Sequence, residues 1–155
     1  MKICFVGLLM SVWIVSHAQE IEIIKKPQMM QMLAAQDEKI YVFNYWASWC
    51  APCVKELPAF KQLAENLKDK NVQVVLFSLD FAEDIEKAKK VLSKKQITFK
   101  TYLLDETKYD TWISDVEPKW QGAIPATMIV KGKQRVFINE ETSYEELMKH
   151  INRLK

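Results

Sequence analysis

Cys50, Ala51, Pro52 and Cys53 set two thiols three residues apart, a spacing that admits thiol–disulfide exchange, soft-metal binding or a short structural disulfide. As a staple the pair is poor. On the chain-entropy account, closing a loop of about four residues gains roughly 2 kcal/mol, against more than about 4 for a long loop. Copper(I) suits soft thiolates, so a carrier binding that ion through Cys50 and Cys53 is the rival from another class, although no histidine or Met-x-x-Met lies nearby to supply a third ligand. A structural zinc site needs four ligands and finds two. A cysteine hydrolase needs a histidine base, and His17 and His150 are the only histidines.

Exchange chemistry divides the labour between the two thiols. A strand reading from Ile40 to Trp46 runs directly into the motif, and an amphipathic helix reading starts at it. Cys50 therefore falls at a helix N-terminus, where unpaired N–H groups and the helix dipole favour the thiolate. Cys53, one turn later and facing inward, stays protonated until it attacks a mixed disulfide on Cys50. Ala51 and Pro52 form the intervening loop, which Pro52 stiffens without removing a needed backbone donor.

The elements that must hold this loop are legible as periodicity. Val54, Leu57, Phe60, Leu63, Ala64 and Leu67 recur at helical steps, with Pro58 inside the run as a kink. Val72 to Leu79 reads as a strand, Glu83 to Lys95 as a helix, Phe99 to Leu104 as a strand and Thr107 to Ser114 as a short helix. Pro27 opens an earlier helix carrying Met29, Met30, Met32 and Leu33, whose spacing suits core packing better than metal binding. Ala126 to Val130 and Arg135 to Ile138 form a terminal hairpin, and Ser143 with Glu146 caps a last helix. Strand and helix alternate, the pattern of an α/β sheet.

Composition removes other classes. The chain of 155 residues has 27% charged residues and a net charge of +2 with both signs interspersed, so it offers no basic stripe to nucleic acid. Three glycines, Gly7, Gly122 and Gly132, write neither a P-loop nor a dinucleotide turn, so no nucleotide cofactor is expected. Neither a metal nor any other cofactor is expected.

Residues 1–18 read as an export signal: Lys2 gives the positive start, Phe5 to Ser16 the apolar run, and Ser16 and Ala18 the small residues before a cut ahead of Gln19. The alternative is an uncleaved N-terminal membrane anchor. Cleavage removes Cys4 and leaves a single domain, 19–155, with Cys50 and Cys53 as its cysteines.

Phe43 to Cys53, with Gly122-Ala123-Ile124-Pro125-Ala126-Thr127, resembles the thioredoxin superfamily and its exported TlpA/ResA-like branch. The resemblance implies a thioredoxin-like fold, a central mixed sheet flanked by helices, with residues 81 to 105 as a helix–strand insert before the cis-proline strand. It implies a redox-active disulfide at Cys50 and Cys53, a cis Pro125, and a substrate surface including Trp49, Ile124 and Pro125. Asn44 stands where thioredoxins proper carry a buried aspartate, and Glu56 where ResA-like proteins place a glutamate. Its three-residue spacing from Cys53 puts both on one helix face, which suits proton transfer; the competing reading is a surface residue paired with a lysine. Trp112 and Trp120 are expected in the core rather than in a partner groove. A monomeric extracytoplasmic (periplasmic) protein acting on disulfide-bearing protein clients and supplied by a membrane redox donor is expected, and with no histidine between Cys50 and Cys53 to stabilise a thiolate strongly the expected direction is reduction of the client.

Overall fold

The computed structural model describes residues 20–68 and 70–154; the expected export signal lies outside the described residues. A six-stranded sheet is built from β1 (Glu22–Ile24), β2 (Ile40–Trp46), β3 (Val72–Ser78), β4 (Thr101–Leu104), β5 (Ala126–Lys131) and β6 (Gln134–Ile138). Their order is β1-β4-β3-β2-β5-β6. The pairs among β1, β4, β3 and β2 are parallel, while β5 runs antiparallel to both β2 and β6. This is the mixed, thioredoxin-like sheet that the sequence resemblance implies.

Among the described residues five α-helices cover it: α1 (Lys26–Leu33), α2 (Ala51–Leu67), α3 (Ile85–Lys94), α4 (Ile113–Val116) and α5 (Tyr144–Leu154). The alternating side chains of the strands feed two separate apolar layers. Val42 and Trp46 of β2 join Val74 and Leu76 of β3 and Ile129 of β5 against α2, α3 and α5. Phe43 and Tyr45 join Val75, Phe77, Met128 and Val130 against Met29 and Leu33 of α1, Val116 of α4 and the two tryptophans Trp112 and Trp120. A buried sheet with both faces covered explains why β2 and β3 read as nearly continuous apolar runs.

Two element readings need correction. The segment from Thr107 to Ser114 is not one helix but a 3-10 turn, Tyr109–Thr111, followed by α4. A short polar stretch gains too little to nucleate an α-helix, and the burial of Trp112 breaks it in two. The strand expected from Phe99 starts at Thr101, after Lys100 accepts from Leu76 through its carbonyl at 3.1 Å. The insert is present as α3 and β4, and β4 lies between β3 and β1. Trp112 and Trp120 are core residues, packed edge to face at 5.6 Å. Trp120 also donates from Nε1 to the carbonyl of Ala123 at 2.8 Å, tying the core to the loop that precedes Pro125.

Candidate active site

β2 delivers the chain to the C-terminal edge of the sheet, and α2 begins there. Cys50 is the N-cap of α2, with extended backbone, and its Sγ accepts from the Cys53 N–H at 3.3 Å. Helix starts leave such N–H groups without internal partners, so here one is aimed at sulfur, where it stabilises negative charge. Cys50 and Cys53 form a disulfide with Cα atoms 5.3 Å apart. Cys53 is completely buried, whereas Cys50 keeps 6% of its surface. Cys50 is thus only slightly more accessible than Cys53. Ala51 and Pro52 are exposed beside it, and Trp49 is 64% exposed.

Across from the disulfide stands the loop before β5. The Ile124–Pro125 peptide bond is cis, and the Ile124 carbonyl oxygen lies 3.8 Å from Cys50 Sγ. Gly122 enters this loop at φ +85°, a left-handed conformation that side-chain-bearing residues rarely adopt. The structure therefore brings Cys50, Cys53, Ile124 and Pro125 together, with Trp49 on the rim.

Glu56 is not a surface residue. It is 3% exposed, and the lysine next to it, Lys55, pairs instead with Glu141 at 2.7 Å. Asn44 Nδ2 donates to Glu56 Oε1 at 2.8 Å, and the Thr142 backbone N–H donates to Oε2 at 2.9 Å. Desolvation pushes the carboxyl up, outweighing the hydrogen bonds from Thr142 and Asn44 that pull it down, and with the Glu141 charge also pushing it up the balance is about 7. A group poised there takes and releases protons near neutrality.

Asn44 is held in turn by Thr127 Oγ1 at 3.2 Å and the Ala126 carbonyl at 3.3 Å, both at the start of β5. Replacing it by aspartate would set two carboxyl groups in one buried pocket, where both cannot ionise. Asn44→Asp is therefore expected to take up a proton on folding and to lose stability faster than the parent as pH rises from about 5 to 9. Urea titrations across that range check this, and parallel stability curves would refute it.

Sequence reasoning missed three participants. Thr142 lies 86 residues from Glu56 in sequence. Ser48 and Asp80, hydrogen-bonded through Ser48 Oγ at 2.6 Å, are 32 apart. The available signal for the latter was an aspartate closing an apolar strand, opposite a serine two residues before the first cysteine.

The profile of the AhpC/TSA family matches residues 17–137. The chain belongs to the AhpC/TSA family. Within this thioredoxin-like family it is similar to the thiol-disulfide oxidoreductase ResA of Oceanobacillus iheyensis, 39% identical over 51 residues, which are 33% of this chain and 27% of that protein. The chain thus aligns with only about a quarter of the length of that relative. Among solved structures, a DsbF homologue from Corynebacterium diphtheriae superposes with a TM-score of 0.64 at 24% identity, covering 78% of this chain and 75% of the other. A secreted Mycobacterium tuberculosis disulfide oxidoreductase homologous to E. coli DsbE superposes with a TM-score of 0.59 at 21% identity, covering 76% and 84%. These two likenesses establish the fold of this AhpC/TSA member.

Proposed function

We propose that this AhpC/TSA member is an extracytoplasmic thiol-disulfide oxidoreductase that reduces disulfide-bearing protein clients and is itself re-reduced by a membrane redox donor. The observation that carries this reading is the Cys50–Cys53 disulfide at the start of α2, with Cys50 Sγ 3.8 Å from the Ile124 carbonyl. The ResA and DsbE-type similarities support it, as does the apolar run of residues 5–16 for export. The domain works as a monomer.

In the reduced protein the Cys50 thiolate attacks one sulfur of the client disulfide, and the other client sulfur leaves as a thiolate. Cys53 then gives its proton to the Glu56 carboxylate and attacks Cys50 Sγ. This closes the disulfide and releases the second client thiolate. Two electrons pass to the client, and two protons follow to its thiols, one of them by way of Glu56. Trp49 on the rim and the backbone beside Pro125 give an extended client segment an apolar and a hydrogen-bonding neighbour next to Cys50. Ala-Pro between the cysteines contains no histidine to stabilise the thiolate strongly, which favours the reducing direction.

The experiment is a pair of assays on the purified, reduced protein: reduction of insulin disulfides, and binding of copper(I). Catalysed reduction is expected, with a potential near the roughly −270 mV of thioredoxin rather than about −120 mV. Tight stoichiometric copper(I) binding without disulfide reduction would replace this reading by the carrier.

A further inference from the structure

Asp80, immediately after β3, takes no part in the chemistry described above, yet it is 3% exposed and points its carboxylate at the loop that carries Cys50. Its oxygens accept from the Ser48 N–H at 3.0 and 3.2 Å, from Ser48 Oγ at 2.6 Å and from Ser78 Oγ at 2.7 Å. Its own N–H donates to Ser78 Oγ at 3.2 Å. A buried carboxylate is retained only where donors replace its lost water, and three of its four contacts come from one residue, two positions before Cys50.

The consequence is mechanical. Cys53 is fixed by the turns of α2, and Cys50, its N-cap, is joined to the helix through the Val54 N–H to Cys50 carbonyl bond at 3.0 Å, while the direction from which the chain enters Cys50 depends on what holds the loop of residues 47 to 49. The Leu79 N–H donates to the Trp46 carbonyl at 2.8 Å just before this loop and the Cys50 N–H to the Ala47 carbonyl at 3.1 Å within it, and the Asp80 carboxylate ties Ser48, at its middle, to the end of β3. We propose that Asp80 is a positioning residue of the redox pair: by clamping Ser48 to the end of β3 it holds Cys50 Sγ at bonding distance from Cys53. It thereby sets the equilibrium between the dithiol and the disulfide. The proposal rests on the reading of Cys50 and Cys53 as the redox centre. Ring closure between two thiols depends on their effective concentration, which falls when one of them is released.

The reaction to follow is dithiol plus oxidised glutathione going to the Cys50–Cys53 disulfide plus two reduced glutathiones, with two electrons passing to glutathione and the two thiol protons carried away on its products. Fractions are read by alkylation and mass spectrometry across glutathione ratios, with urea unfolding run in parallel. Asp80→Ala is expected to lower the equilibrium constant for disulfide formation by about tenfold, a rise of about 30 mV for a two-electron couple. Asp80→Asn keeps an oxygen for Ser48 and presents an amide to Ser78 Oγ, so it is expected to stay within about threefold of the parent.

An Asp80→Ala protein that folds and equilibrates within about twofold of the parent would overturn the assignment. So would an Asp80→Asn protein as impaired as Asp80→Ala, because the effect would then belong to charge rather than to the clamp. If Asp80→Ala does not fold, Ser48→Ala removes the 2.6 Å bond alone and is expected to shift the equilibrium in the same direction by about threefold; no shift would refute the proposal. Glutathione equilibration reports on the pair directly. A protein that equilibrates normally but reduces no protein disulfide therefore fails the proposed function without touching Asp80.

Discussion

Cys53→Ser is expected to accumulate covalent mixed disulfides with envelope proteins, while Cys50→Ser accumulates none and falls to the uncatalysed background in disulfide reduction. The reason is geometric. Cys53 has no exposed surface and lies within the first turn of α2, behind Cys50, so a client sulfur reaches the pair only through Cys50 Sγ. That atom also receives the Cys53 N–H, the interaction that favours its thiolate, and it faces the Ile124 carbonyl where a client backbone would lie. With serine at position 53 the first attack still occurs, but no thiolate remains to resolve its product, so the adduct persists. Non-reducing electrophoresis followed by mass spectrometry identifies the adducts. Equal trapping by both variants would contradict the division of roles, and trapping by Cys50→Ser alone would reverse it.

The redox pair and its supports were legible because they are local. A cysteine spacing of three, an apolar strand before it and helical periodicity after it all reside in one stretch from Ile40 to Leu67, and the structure returns these elements with those limits. The family likeness extended this to Asn44 and Glu56 as positions, but not to their contact. That contact needs β2 and α2 to pack at one depth, and its second half needs a loop from the far end of the chain, where Thr142 offers a backbone N–H that no side-chain pattern announces. Asp80 was hidden for the same reason. Its partners Ser48 and Ser78 are brought together by the parallel pairing of β2 with β3, where Trp46 stands opposite Ser78, and a short apolar run does not reveal its register. The segment from Thr107 to Ser114 failed in the opposite sense, since a local helical pattern was overridden by the burial of Trp112 against Trp120 and Tyr45.

Glu56→Gln is expected to slow disulfide exchange near neutral pH by about 10²-fold, the lower end of what a positioned acid–base group contributes, and to flatten its pH profile. The slowed step is resolution of the mixed disulfide, in which Cys53 must lose its proton inside a closed apolar layer; the first attack by Cys50 is unaffected. Single-turnover kinetics that separate the two steps read this directly. Stability supplies an independent check with a definite sign. The carboxyl is held at about 7 in the folded protein against an ordinary value of 4.5, so the folded state binds the proton more tightly than the unfolded chain. Its contribution to stability is fully present below pH 4.5 and is lost as pH rises through about 7, with an upper bound of about 3 kcal/mol. Glutamine does not titrate, so the variant should lack this decline and gain on the parent at alkaline pH. Glutamine keeps one acceptor oxygen for Asn44 Nδ2 but loses the one that accepts from the Thr142 N–H, which offsets part of that gain. A variant with the parent's pH-dependent stability would show that Glu56 does not titrate in this window. Unchanged kinetics of the resolving step would show that Cys53 loses its proton by another route.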